Sequence, residues 1–116
     1  MSTNAILFGW DRSLPGREKL SGQHFQEFVA YLQAQKDAKK IESFDPVLLE
    51  PHGGTLNGFF LIRGTPEQVV QLTGSPEWIQ HQVRVMLHVD GACVLRGVAG
   101  QAVNERMGMW LQAIPK

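Results

Sequence analysis

Residues 56–68, Leu56-Asn57-Gly58-Phe59-Phe60-Leu61-Ile62-Arg63-Gly64-Thr65-Pro66-Glu67-Gln68, decide how the rest of the chain is read. The apolar run Phe59 to Ile62 is short and aromatic-rich, which predicts a strand over Leu56–Arg63, with Gly58 in its first half. Gly64 interrupts it, and Thr65-Pro66-Glu67-Gln68 opens a helix at once. Thr65 suits the N-cap, Pro66 the first helical position and Gln68 the side chain that reaches back to the cap. Upstream, Glu50-Pro51-His52-Gly53-Gly54 reads as a turn and Ile41–Leu49 as the strand before it. Pro46 donates no ladder hydrogen bond, so it marks an edge or a bulge in that strand. The two runs are expected to pair as an antiparallel hairpin that leads directly into a helix.

Outward from the hairpin, the period lengthens between Arg17 and Lys40. Phe25, Phe28, Val29 and Leu32 fall at i, i+3, i+4 and i+7, one face of a helix. Ala5–Trp10 reads as a first strand and Asp11–Gly16 as a loop. Gly74 suits a helix stop, and Ser75-Pro76-Glu77 restarts a short helix anchored by Trp78 and Ile79. Val85–Leu95 then reads as a long strand bent at Gly91. After Gly100, Val103, Met107, Trp110, Leu111 and Ile114 make the stripe of a last helix. The order β-α-β-β-α-β plus a C-terminal helix predicts an α+β domain of the ferredoxin-like kind, with a four-stranded antiparallel sheet carrying helices on one face. It occupies 1–116 as one domain, with a core over 4–96 and the tail helix over 100–115.

Composition narrows the function classes. Of 116 residues, 43% are hydrophobic and 19% charged, ordinary values for a folded domain. Eleven basic residues balance eleven acidic ones, so no basic footprint for nucleic acid is present. The densest basic run, Lys36 to Lys40, falls at a helix end, where the dipole favours cations. One cysteine, Cys93, forms neither an intrachain disulfide nor a multi-cysteine metal site. No apolar run is long enough to span a membrane and the first residues lack the pattern of a secretory leader, so a cytoplasmic protein is expected.

The strands lack the alternation of a sheet with one wet face. Ile6-Leu7-Phe8, Phe59 to Ile62 and Val85-Met86-Leu87 are continuous apolar runs. Helices cover one face, and a second copy of the sheet is the simplest cover for the other, which predicts a homodimer in the form of a dimeric α/β barrel. The alternative is a tail helix that folds beneath its own sheet and seals a monomer.

This order of elements resembles the dimeric α/β-barrel superfamily. The segment Gly53-Gly54-Thr55-Leu56-Asn57-Gly58-Phe59-Phe60-Leu61-Ile62, with Tyr31-Leu32 closing the first helix, resembles the YCII-related proteins within it. The stretches Gly16-Arg17-Glu18-Lys19, Ile41 to Leu49 and Asn57 to Gly64 are also similar to those of small bacterial proteins, a likeness that brings no activity with it. The superfamily resemblance implies a pocket in each subunit between sheet and helices. It implies no single reaction, since members include cofactor-free monooxygenases, haem-degrading enzymes and isomerases. A His and an Asp near the pocket are expected of YCII-like proteins, and His24 stands at a different spacing from Tyr31-Leu32 than that pattern has.

Among individual residues, His88 and Asp90 lie two apart in the last strand, so they are expected on one face. They suit an oriented base or half of a metal site, and equally a satisfied core histidine beside a surface carboxylate. His24 suits proton transfer at the pocket or a half-exposed helix position. Trp10, at a strand end, suits the wall of a pocket or an anchor for the tail helix. Arg63 suits an anion or a surface ion pair, and Tyr31 is expected to line the pocket. Glu50 and His52 suit metal ligands or a solvated turn, and Cys93 a packing role. No nucleophile elbow, phosphate-cradling loop or paired-cysteine motif is present, so no cofactor or metal is expected. Two functions compete: a dimer that binds a small, largely apolar molecule with acid–base or cofactor-free oxygen chemistry, and a non-catalytic interaction module. An enclosed cavity with convergent polar groups separates the first from the second.

Overall fold

The structure is a computed structural model and describes residues 2–116. The chain runs β1 (Ala5–Trp10), β2 (Arg12–Ser13), α1 (Glu18–Asp37), β3 (Ser43–Leu48), β4 (Gly58–Arg63), α2 (Pro66–Thr73), α3 (Pro76–Val85), β5 (Val89–Asp90), β6 (Cys93–Gly97) and α4 (Ala102–Ala113). Four strands form an antiparallel sheet in the order β3-β4-β1-β6, and β2 pairs with β5 in a separate ladder. The fold is α+β, with one such four-stranded sheet and four helices among the described residues.

Side-chain alternation assigns the faces of the sheet. Ile6, Phe8 and Trp10 of β1 point with Phe60 and Ile62 of β4 towards the helices, because Ile6 pairs with Ile62 and Phe8 with Phe60. The core is Ile6, Phe8, Phe60 and Ile62 under Phe28 and Leu32 of α1, Val69 and Leu72 of α2, and Trp78 and Val85 of α3. Aromatic rings meet edge-on at its centre: Phe8 and Trp78 lie 5.5 Å apart between centroids, and Phe28 and Phe60 4.9 Å. Such pairs add specificity to the area they bury. The opposite face carries Leu7, Phe59, Leu61 and Leu95; the first three are half-buried and Leu95 is exposed.

The helix starts follow their local chemistry. Thr65 Oγ1 accepts the Gln68 N–H at 3.2 Å, and Gln68 Oε1 accepts the Thr65 N–H at 2.8 Å. Ser75 caps α3 by accepting the Trp78 N–H. α1 ends at Asp37, where Ala38 and Lys39 close its carbonyls and Lys39 turns left-handed at φ 59°.

The long strand expected over Val85–Leu95 does not form. α3 runs on to Val85, and Met86, Leu87 and His88 make a turn. Two short strands follow, separated at Gly91, whose φ of 68° breaks the extended backbone. Val85 packs inward while Met86 and Leu87 are 67% and 61% exposed, so this apolar triplet is a helix end and not a two-sided strand. Asp11–Gly16 is likewise not all loop, because Arg12 and Ser13 pair with Asp90 and Val89. No helix of the described residues is long and apolar enough to cross a membrane.

Candidate functional site

The amphipathic stripe of α1 lies over the sheet, but the two part towards the N-terminal end of the helix. A cavity of about 310 Å³ opens between them. Its wall is aromatic, from Phe8, Trp10, Phe25, Phe28 and Phe60, and its polar groups are Arg12, Ser13, Ser21, His24 and His88. Trp10 is placed by its neighbour across the ladder: it pairs with Gly58, and a Cβ there would come within 2.5 Å of the indole. Glycine at 58 therefore leaves room for the indole beside β4, where Phe25 meets it edge-on and Phe60 at a tilt.

The polar side of the cavity is one continuous hydrogen-bonded row. Ser13 Oγ lies 2.7 Å from Ser21 Oγ, and Ser21 Oγ lies 2.8 Å from His88 Nδ1. His88 Nε2 lies 2.8 Å from His24 Nδ1, and His24 Nε2 lies 2.9 Å from His81 Nδ1. Each element supplies its member for a local reason. Ser21 and His24 are one turn apart on α1, on the side that continues to Phe28. His81 sits on α3 three residues after Trp78 and four before Val85, both buried on the same side. His88 belongs to the turn after α3. That turn is held by the Leu14 N–H donating to the His88 carbonyl at 2.8 Å, and by Arg17 donating to the Leu87 carbonyl.

Burial and cations keep these imidazoles neutral. His24, 4% exposed, is pushed down to about 4, mainly by burial and then by the Arg84 guanidinium, with His81 and His88 adding to it. His81 and His88 are lowered by the same leading causes, burial first and Arg84 second. Arg84 is itself ion-paired to Glu27 at the outer edge of α1 and α3. A neutral imidazole carries one N–H and one lone pair, so the row is satisfied when every ring points its proton the same way along it. The ring nitrogens that meet inside the row are therefore spent on one another. Among the described residues, no group of three or more His, Cys, Asp or Glu is arranged around a common cation position.

The sequence-predicted residues divide into those at this site and those elsewhere. His24, His88 and Trp10 line the cavity together. Asp90 does not join them: it is exposed in β5, and its backbone carbonyl accepts the Asp11 N–H at 3.0 Å. The expected same-face pair fails because His88 lies in a turn and not in a strand. Tyr31 lies beyond the cavity, against Phe28 and His81, with ring centroids 4.7 Å from the latter. Burial pushes its hydroxyl up from the ordinary tyrosine value. Arg63 ends β4 opposite Ala5, at the far end of the sheet from Trp10 and Gly58, and is exposed. His52 closes its own turn, bonding the Leu56 carbonyl through Nε2 and the Gly54 N–H through Nδ1. Cys93 is a free, half-buried thiol on β6.

Sequence reasoning missed Ser13, Ser21 and His81. The spacing of Trp78, His81 and Val85 at i, i+3 and i+7 holds the signal for His81, but only once the helix is carried through Val85. Ser21 stands one turn before His24, on the apolar stripe extended backwards. Ser13 has no signal, because a two-residue ladder across distant segments has no local period.

Comparison with models of protein families, with curated proteins and with solved structures finds no match to this chain.

Proposed function

We propose that this protein takes a small, largely apolar molecule into the cavity between α1 and the sheet and carries out acid–base chemistry on it. The observation that carries the reading is the composition of the cavity: an aromatic wall with one polar side, where Ser21, His88 and His24 converge. Binding pockets are generally of this kind, apolar with a few placed polar groups. Neutral histidines suit a proton acceptor, whereas charged ones would first have to lose a proton. Arg12 of the lining is largely exposed and lies 3.8 Å from the Asp11 carboxylate, which partly balances its charge.

The setting we propose is a cytoplasmic homodimer of the ferredoxin-like, dimeric α/β-barrel kind related to the YCII proteins. Supporting it are the strand order β3-β4-β1-β6, an apolar second sheet face, and a last helix with no buried residue. The competing reading, a pure interaction module, accounts for the apolar surfaces but gives no reason for a cavity lined by hydrogen-bonded serines and histidines.

2-Naphthol, an apolar two-ring body with one hydroxyl, is the first probe. Calorimetric titration is expected to show one molecule bound per chain. Gly22 lies on the rim of the cavity with open space where a Cβ would be. Gly22→Phe should therefore narrow the entrance and weaken binding by about tenfold or more, roughly 1.4 kcal/mol, while the far-UV spectrum is retained. Equal affinity in the variant, or no binding to either protein, would remove the cavity as the site.

A further inference from the structure

The row of side chains does not stop at the cavity. From Ser21, a residue of the cavity lining, it continues to His81, beside the exposed Glu27–Arg84 pair on the outer edge of α1 and α3. From Ser21 Oγ through His88 and His24 to His81 the separations are 2.8, 2.8 and 2.9 Å, with no break. From this geometry we infer that Ser21, His88, His24 and His81 form a proton relay between the bound ligand and solvent, and that the ligand's reacting group is the hydroxyl of a phenol or enol. The inference rests on the reading of the cavity as a ligand site and adds to it the direction of proton flow and the class of ligand.

Two arrangements of the row satisfy every donor and acceptor. In the outward one, Ser21 O–H donates to His88 Nδ1, His88 Nε2–H to His24 Nδ1, and His24 Nε2–H to His81 Nδ1, leaving His81 Nε2–H directed away from the row. In the inward one each proton sits on the other nitrogen, so His81 Nδ1–H donates to His24 and His88 Nδ1–H donates to Ser21 Oγ. The Ser21 proton then turns to the His88 carbonyl at 3.3 Å or to Ser13 Oγ at 2.7 Å. A proton leaving the ligand hydroxyl for Ser21 Oγ displaces the Ser21 proton to His88 Nδ1. One proton then passes at each link, and His81 Nε2 releases one to water. The O–H electron pair stays on the ligand oxygen as the phenolate or enolate. The row goes from outward to inward with no net charge gained by the protein.

A row of neutral histidines suits such a transfer. Arg84 on α3 and Arg17 before α1 lie near the row and oppose an added positive charge, with Glu27 of α1 the nearby carboxylate that favours it. An imidazolium stranded in the row would be costly, whereas a concerted switch of tautomers never creates one. The ligand group at Ser21 has to donate and accept in turn, which a hydroxyl does and a ketone or an alkyl group does not.

The relay is tested first without any ligand, by two-bond proton–nitrogen correlation spectra of the 15N-labelled full chain near neutral pH. Exchange between the two arrangements should give His24, His81 and His88 nitrogen shifts between the limiting tautomer values. His81→Phe keeps a ring against Phe28 and Tyr31 and removes the outer link, so His24 and His88 should move to limiting values. Limiting shifts already present in the unaltered protein, and unmoved by His81→Phe, would show a static network and overturn the relay. The ligand class is tested separately with 2-naphthol, a photoacid that emits as its anion when an acceptor takes its proton. Bound probe should emit as the anion, and Ser21→Ala or His81→Phe should reduce that emission about tenfold at equal occupancy. Probe that binds but emits identically in all three proteins overturns the relay, whereas probe that does not bind overturns the cavity reading and leaves the nitrogen shifts to decide the relay.

Discussion

At the scale of the residue, His24 shows how one side chain couples stability to chemistry. Its folded-state value of about 4 lies below the ordinary histidine value of 6.5. Unfolded chain therefore binds the proton more readily than folded chain between those values, and stability falls as pH falls through that window. Above about 6.5 the contribution is complete, and below about 4 it is gone. A shift of this size in one group corresponds to roughly 3 kcal/mol. Urea unfolding at pH 7.5 and at pH 4.5 should show the lower midpoint in acid, and His24→Leu should flatten the difference. A profile equally steep in the variant would place the pH dependence outside His24, in His81, in His88 or elsewhere in the chain. His24 was legible in the sequence as a histidine beside an apolar stripe, but its full burial was not. The stripe Phe25-Phe28-Val29-Leu32 extends backwards through His24 to Ser21, and a polar residue on an apolar face looks like an exception until its partners are known. Those partners, His81 and His88, are brought together from more than fifty residues away. No local pattern records such a meeting.

At the scale of the element, the parts with self-contained signals were readable and those settled by competition were not. α2 was announced by Thr65-Pro66-Glu67-Gln68, and both hydrogen bonds of its capping box are present. Gln68 also donates through Nε2 to the Lys39 carbonyl at 2.9 Å, tying the start of α2 to the left-handed turn that ends α1. Thr65→Ala removes the acceptor for the Gln68 N–H and should cost about 1 kcal/mol. Gln68→Ala should cost more than Thr65→Ala, since it breaks the reciprocal bond and the tie to Lys39 together. Chemical denaturation of both variants checks the order; equal losses would mean that the Lys39 contact contributes nothing. The segment after α3 departs from its sequence pattern for a physical reason. Val85-Met86-Leu87 has the composition of a strand, and a short apolar run does not distinguish a strand from the end of a helix. What decides it is the pairing of Trp78 with Val85 on one buried side of α3, a tertiary fact. The β2–β5 ladder, two residues on each side, was invisible for the same reason.

At the scale of the whole molecule, one helix remains without a place. α4 has no buried residue and makes little contact with the other elements. Val103, Met107, Trp110 and Leu111 along it, and Ile114 just after it, are 40–59% exposed. The described chain measures 54 × 37 × 21 Å, with a radius of gyration of 15.8 Å. A compact domain of this length would have a radius near 13 Å. The sheet face turned away from the core has the opposite need, with Leu7, Phe59, Leu61 and Leu95 only partly covered. Arg106 Nε on α4 is, among the described residues, buried without a hydrogen-bond partner. A two-fold exchange, each α4 packing against the sheet side of a second copy, meets both needs at once, because an isologous interface brings every patch to its complement twice. Val85-Met86-Leu87 ends α3 and turns, so it adds no apolar strand to that face, and α4 is the larger uncovered element. Sedimentation equilibrium should therefore find a dimer at micromolar concentration. Trp110→Asp with Leu111→Asp places charge where apolar contact is required and should shift the mass to that of a monomer. The cavity lies on the other side of the sheet, so 2-naphthol binding should survive the change. A monomer in the unaltered protein would mean that α4 folds back on its own sheet in solution. A dimer that withstands both charges would put the contact on a surface other than α4.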